Sequence, residues 1–169
     1  MKQITTIVTV LCILLVAQVS FGQDNKTSKP EEKETFVKGT RLLEQDPFNR
    51  NAKKIRSSLL FWLIQAPDVS VTLCSDFLTV GDKYKYAPEI TGQFTYGMGS
   101  FIIENPGKAT DQNAVFQGGL DSVSKMYESM LQQPKAKNDF LDSLVEKRNK
   151  GEVGKFVEEV LSKGGCKSK

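Results

Sequence analysis

Residues 111–134 read DQNAVFQGGLDSVSKMYESMLQQP, the longest stretch of the chain with an unbroken helical pattern. Thr110 or Asp111 is placed to cap its N-terminus, and Pro134 closes it. Between these limits the apolar side chains recur at spacings of three and four residues, which predicts a helix with one buried face. These side chains are Val115, Phe116, Leu120, Val123, Met126, Tyr127, Met130 and Leu131.

The same pattern recurs on both sides of this segment. Residues 84–104 predict a helix with Pro88 in its first turn, where the missing N–H of a proline costs little. Residues 138–150 and 153–163 predict two shorter helices, each of which is followed by glycine. Asn138 or Asp139 is placed to cap the first of them.

Two further helices are predicted nearer the N-terminus. Residues 32–45 end before Asp46-Pro47, since proline disfavours the helical region for the residue that precedes it. Residues 52–66 are apolar on nearly every side of a helix, because Leu60, Phe61 and Ile64 lie opposite the main stripe. We expect this second helix to be central and buried.

Residues 68–80 fit two structures. Val69, Val71 and Leu73 alternate as in a strand, whereas the apolar residues of 73–78 recur as in a helix. No other segment offers a partner strand, and an isolated strand is not stable. The sequence therefore favours a short helix.

Short turns between these elements indicate an all-α fold. We predict a single domain of about seven short-to-medium helices packed as helical hairpins. The predicted organisation is a secretory signal peptide at 1–22, a flexible polar leader at 23–34, the all-α domain at 35–163 and a C-terminal tail at 164–169.

The N-terminus has the layout of a secretory signal peptide. Lys2 is followed by about 11 apolar residues at 7–17, fewer than the ~20 that a membrane span needs. Ser20 and Gly22 are small residues at the positions that signal peptidase reads, so cleavage is expected between Gly22 and Gln23. We therefore predict a secreted or periplasmic protein with no membrane span after cleavage.

Composition excludes several function classes. The 169 residues include 23 Lys and Arg, 20 Asp and Glu, and no histidine. The chain therefore has no Ser-His-Asp or Cys-His nucleophile, no imidazole base and no zinc site built with histidine. The near-neutral charge and the lack of a basic run interleaved with aromatic residues predict no nucleic-acid binding.

Two cysteines, Cys74 and Cys166, remain after the predicted cleavage. An even number of cysteines in an exported chain favours a disulfide, which would tie the tail to the middle of the chain. Two free thiols with Cys74 buried, or a redox or metal role, are the alternatives. The chain has no Cys-x-x-Cys motif that would favour a redox role.

Two glycine motifs lie inside predicted helices. Gly97-Met98-Gly99 superficially suggests a phosphate loop, but the Gly-Lys-Ser/Thr of a P-loop is missing. Gly118-Gly119 costs about 1 kcal/mol per glycine relative to alanine inside a helix. We predict a close helix contact at the first motif, and a close helix contact or a kink at the second, where a ligand cleft is the alternative. Gly119 is expected to lie at a tight contact.

Candidate catalytic and binding side chains are few. Asp68, Asp76 and Asp82 match no calcium-loop pattern and are interpreted as cap and surface charges. Ser57-Ser58 and Ser122 with Lys125 resemble Ser/Lys pairs by residue type alone.

Two tyrosines and two lysines alternate at residues 83–86. Tyr84 and Tyr86, with Lys83 and Lys85, fit either an exposed rim that binds a peptide or glycan, or a half-buried packing role. The sequence favours the packing role.

Residues 42–52, LLEQDPFNRNA, resemble the junction between tetratricopeptide repeats, where one helix ends in an Asp-Pro turn and the next begins a few residues later. Residues 127–136, YESMLQQPKA, are a second and looser match. The resemblance is confined to these turns, and no functional residue follows from it. It implies stacked helix-turn-helix units and a partner-binding surface.

The leading prediction is an exported, non-enzymatic protein-binding or scaffolding module with no catalytic residue, cofactor or metal. Its expected partner is another envelope or secreted protein. One alternative is a small-ligand carrier with an apolar cavity among the ten Phe and four Met residues. Another is a hydrolase that works with carboxylates or a Ser/Lys pair instead of histidine.

Overall fold

The computed structural model describes residues 27–81 and 83–166. Within these residues the chain is all-helical and contains no strand, which confirms the predicted fold class. The predicted signal peptide, its cleavage site at Gly22–Gln23, residues 23–26 of the predicted leader, Asp82 and the last three residues of the tail lie outside the described part. The α-helices are α1 (Pro30–Gln45), α2 (Ala52–Gln65), α3 (Ala87–Glu104), α4 (Gln112–Met130), α5 (Asp139–Asn149) and α6 (Val153–Ser162).

The centre of the fold is an antiparallel pair formed by α3 and α4. Their glycines let the two backbones approach closely. A Cβ added to Gly97 would lie 3.1 Å from the Cα of Gly119, and one added to Gly119 would lie 2.7 Å from a ring carbon of Phe94. A Cβ added to Gly118 would lie 2.6 Å from Phe101. The predicted close contacts, including the one at Gly119, are confirmed.

The other helices surround this pair. Helix α1 packs on both α3 and α4, α2 packs on α1 and α3, and α5 and α6 pack on α4. All six contribute to one core of buried apolar side chains. The largest fully buried ones are Tyr127, Phe36, Phe77, Phe94, Phe116, Leu43, Ile90, Met98, Leu120, Met126, Met130 and Leu141.

Side-chain caps fix two helix starts as predicted. Asp111 accepts a hydrogen bond from the backbone N–H of Ala114 at 3.2 Å. Asn138 accepts one from Leu141 at 3.2 Å. Each cap satisfies a backbone donor that has no partner inside its helix.

Helix α1 begins earlier than predicted, at Pro30, so residues 30–34 belong to the helix and not to a flexible leader. Proline is pre-organised for the first helical position, and Glu31 and Glu32 favour the positive end of the helix dipole in the first turn. The polar composition of this segment reflects an exposed first turn.

The predicted short helix at residues 68–80 is wrong. Only Ser75–Phe77 form a helical turn, of the 3-10 type, and the residues before it have no helical structure. The β-branched residues of this segment disfavour a helix, and Asp68 bonds to other parts of the chain instead of capping one. Phe77 nevertheless enters the core and is fully buried.

Helix α2 is peripheral, and the prediction that it is central and buried is wrong. Leu59 and Leu63 face the core at 5% and 8% exposure, whereas Phe61 and Ile64 on the opposite side are 65% and 75% exposed. The glycine-rich α3 and α4 occupy the centre because they approach each other more closely. An apolar pattern on all sides therefore marks a second face that no part of the described chain covers.

Candidate binding surface

Four large apolar side chains are exposed on and beside the C-terminal half of α2. We call them the α2 apolar surface: Leu60, Phe61, Ile64 and Leu73. Leu73 belongs to the irregular segment that follows α2, and it lines a depression of about 420 Å³ together with Leu60 and Ile64. Exposed large apolar side chains that share one groove are typical of interaction sites.

This depression is one of three that follow each other around α2. A second, of about 320 Å³, includes Phe61 and shares Ala66 and Pro67 with the first. A third, of about 330 Å³, lies between α1 and α2 and shares Glu32 and Trp62 with the second. The apolar surface and the α1–α2 groove are therefore continuous.

The segment after α2 is held in place by Asp68. Its carboxylate accepts hydrogen bonds from the backbone N–H and hydroxyl of Ser28, at 3.1 and 2.7 Å, and from Lys33 at 2.6 Å. Burial acts to raise the pKa of Asp68, but these hydrogen bonds outweigh it and lower the pKa to about 2. The segment that follows the α2 apolar surface is thus fixed to the start of α1.

The α1–α2 groove has an aromatic wall and an acidic mouth. Phe36 is buried and Trp62 half-buried, and their ring centroids lie 4.7 Å apart. Glu31 and Glu32 are exposed beside them, and the indole N–H of Trp62 points to Glu32 at 3.5 Å. We name this site the Trp62 groove. Sequence reasoning missed it because its acidic and aromatic residues are about 30 positions apart and meet only when α1 packs on α2.

A buried polar network lies between α1, α3 and α4. Glu44 accepts hydrogen bonds from Arg41 at 2.5 Å and from the hydroxyl of Ser122 at 2.6 Å. The amide of Gln93 donates to the same hydroxyl at 2.8 Å, and Arg41 also pairs with Glu104 at 2.6 Å. Burial acts to lower the pKa of Arg41, but the carboxylates of Glu44 and Glu104 together outweigh it, so the pKa is raised. The network connects three helices, because its side chains form hydrogen bonds with one another across the helix contacts.

This network bears on the Ser/Lys alternative. The hydroxyl of Ser122 is buried and bonded to Glu44, whereas Lys125 is exposed. Ser57 and Ser58 are also exposed. Burial raises the pKa of the neighbouring Asp121 carboxyl, and Lys125 acts in the opposite direction. The structure does not bring the serines and lysine predicted from residue type into one cleft.

The tyrosines predicted as either rim or packing groups are packing groups. Tyr86 is buried, and its hydroxyl donates to the carbonyl of Pro134 at 3.0 Å. The hydroxyl of Tyr84 donates to Ala136 at 2.6 Å, and burial is the main cause that raises its pKa to about 12. Both phenols fix the turn after α4 to the start of α3.

Cys74 and Cys166 form a disulfide, with Cα atoms 5.2 Å apart. The carboxylate of Asp76 lies beside the sulfur atoms and accepts a hydrogen bond from the backbone N–H of Cys166 at 2.8 Å. Because metals bind thiolates, the bonded sulfurs offer no metal ligands in this state. The pair predicted from cysteine counting thus fixes the end of α6 to the segment before Phe77.

Aromatic rings fill the centre of the core. Phe77 lies 4.6 Å from Phe116 and 6.1 Å from Phe94, measured between ring centroids. Phe156 approaches the same ring at 6.3 Å. The phenylalanines from which an apolar cavity was hypothesised pack against each other here, so this part of the core gives the ligand-carrier hypothesis no support.

Within the described residues, none of the helices combines the length and apolar character that a membrane span requires. Comparisons of the chain with protein-family models, curated proteins and solved structures gave no match.

Proposed function

We propose that this protein is an exported, non-enzymatic binding module whose α2 apolar surface docks an apolar segment of another protein. One observation carries the proposal. Helix α2 packs on the domain through Leu59 and Leu63 and turns large apolar side chains to solvent on its other side. The neighbouring groove continues this surface and gives it a concave part.

The exposed surface can supply a substantial part of the energy of a specific contact. Complete burial of a Leu, Ile or Phe side chain stabilises by ~1.5–3 kcal/mol. The four side chains are exposed by 46–75%, so covering them would contribute roughly 4–8 kcal/mol before the entropic cost of association. Phe61, at 65% exposure, presents the largest side chain and is the expected hot spot.

The charges next to this surface favour a protein over a lipid bilayer as the occupant. Surface helices that bind membranes carry basic residues on their polar face, which attract anionic lipids. Helix α2 has its exposed lysines, Lys53 and Lys54, in its first turn, at the end away from this surface, and the connected groove has Glu31 and Glu32 at its mouth. These carboxylates repel an anionic lipid surface and complement a basic segment of a protein.

Export is part of the proposal. It rests on the signal-like N-terminus and on the Cys74–Cys166 disulfide, since disulfides persist in oxidising compartments outside the cytoplasm. The expected partner is therefore another secreted or envelope protein.

Site-specific photo-crosslinking in the cells that produce the protein tests this function. A photoreactive phenylalanine analogue replaces Phe61, or Glu158 on the exposed side of α6 as the matched control. We expect a defined protein to crosslink at position 61 and not at position 158. Unlabelled wild-type protein should compete with this crosslink, and a Phe61→Asp variant should not.

Three results would contradict the proposal. Equal crosslinks at both positions would mean non-specific contact. A crosslink of the protein to itself would mean that a second copy covers the surface. A crosslink from position 61 to lipid alone would mean that the surface contacts a membrane.

A further inference from the structure

The Trp62 groove is chemically different from the α2 apolar surface that it joins. Its interior is apolar, with Phe36, Leu59 and Trp62 in the lining. Its mouth is acidic, with Glu31 and Glu32 on the first turn of α1. The residues that line it include no lysine or arginine. A ligand that fits must therefore combine an apolar stem with a positive charge.

The two carboxylates at the mouth are available to such a ligand. Within the described residues, Glu31 takes part in no ion pair. Glu32 is 46% exposed, and its nearest cation, Lys29, lies 3.9 Å away with 77% of its side chain exposed. Lys33, the residue after Glu32, pairs with Asp68 at 2.6 Å instead of with Glu31 or Glu32. An incoming cation would displace at most one weak surface pair.

We propose that the Trp62 groove receives a lysine or arginine side chain of the partner protein, a step that rests on the proposed function. The methylene stem packs on the accessible part of Trp62, above the buried Phe36 and Leu59, as long basic side chains do on apolar surfaces. The cation lies against the indole ring of Trp62 and donates hydrogen bonds to the carboxylates of Glu31 and Glu32, which balance its charge. Because the groove shares Glu32 and Trp62 with the depression that contains Phe61, one partner segment can reach both places.

The chain offers a direct probe of this site, because Trp62 is its only tryptophan. The purified protein is titrated with the blocked peptide acetyl-Leu-Arg-Leu-amide while the indole fluorescence is followed. The control peptide contains citrulline, which has nearly the shape of arginine and no charge. We expect a saturable change with the arginine peptide, at least about tenfold weaker binding of the citrulline peptide, and weaker binding at high salt.

Matched variants separate the groove from general surface charge. Glu31→Gln combined with Glu32→Gln should weaken arginine-peptide binding at least about tenfold. Glu34→Gln is the control, since Glu34 lies on the same helix, is exposed and pairs with Lys38 at 2.6 Å outside the groove. Circular dichroism of each variant checks that the fold is kept.

Three outcomes would overturn the inference. One is the absence of a saturable change, and another is equal binding of the arginine and citrulline peptides. The third is methylguanidinium binding as tightly as the peptide, which would make the groove a site for free small cations. A failure here would leave the crosslink at position 61 intact, whereas loss of that crosslink with peptide binding retained would contradict the proposed function alone.

Discussion

The contact between α3 and α4 predicts how the protein responds to a single added methyl group. In Gly119→Ala, the new Cβ would lie 2.7 Å from Cδ2 of the Phe94 ring and 2.8 Å from Cγ of Met98. Neither atom is the end of a flexible side chain, so neither can move away easily. Overpacking of this kind costs ~1–3 kcal/mol. Replacement of a helical glycine by alanine gains about 1 kcal/mol of helix propensity. The expected net loss in the free energy of unfolding is therefore ~0–2 kcal/mol.

Gly154→Ala in α6 is the matched control. Its new Cβ would meet only the end of the Gln117 side chain within 3.4 Å, so the helix-propensity gain of up to ~1 kcal/mol should remain. Urea unfolding followed by circular dichroism measures both variants. We expect Gly119→Ala to be less stable than Gly154→Ala by ~1–3 kcal/mol. Equal stability of the two variants would refute the close α3–α4 contact.

Three further predictions concern charges and the disulfide. Alkylation without reductant of the chain that lacks residues 1–22, and with them Cys12, should add no label, and two labels would refute the Cys74–Cys166 bond. Reduction of this bond should lower the free energy of unfolding by ~4–5 kcal/mol in the chain-entropy model, as measured by urea unfolding. Asp68→Asn should cost about 1 kcal/mol at pH 7. Because the folded pKa of about 2 is below the usual 3.8, that difference should shrink as the pH falls below about 4 and should be lost only once the pH has passed below about 2; a difference of the same size at pH 7 and at about pH 1.5 would refute the role of the carboxylate. Arg41→Met should cost ~2–4 kcal/mol in thermal or urea unfolding, since it leaves Glu44 buried without its cation, and an unchanged stability would refute the network.

The helices and two of their side-chain caps could be predicted from the sequence because they depend on local spacing. The apolar repeat at residues 112–130, the cap at Asp111 and the cap at Asn138 are all properties of neighbouring residues. The disulfide could also be predicted, because two cysteines remain after the expected cleavage and only one pairing is possible. Local pattern and residue counting were sufficient for these features.

The position of α2 could not be predicted in the same way. Its pattern shows that two faces are apolar, but only packing decides which face is covered. Small residues in α3 and α4 let those helices take the centre, and Phe61 stays in solvent.

Contacts between distant residues were also missed. Glu44 and Ser122 are 78 positions apart, and Trp62 and Glu32 are 30 positions apart. Serine, glutamate and tryptophan at these distances form no recognisable motif, since their proximity depends on how the helices pack. The buried network and the Trp62 groove therefore required the three-dimensional structure.

The most direct test of the docking surface is the dissociation constant of the protein that crosslinks at position 61, measured for wild type and for Phe61→Asp. Because Phe61 is 65% exposed, the free energy of unfolding of the variant should differ from that of wild type by no more than ~0.5 kcal/mol. Its partner should nevertheless bind at least about tenfold more weakly, as expected for the loss of a large apolar contact. Equal dissociation constants for two equally stable proteins would contradict the assignment of α2 as the binding surface.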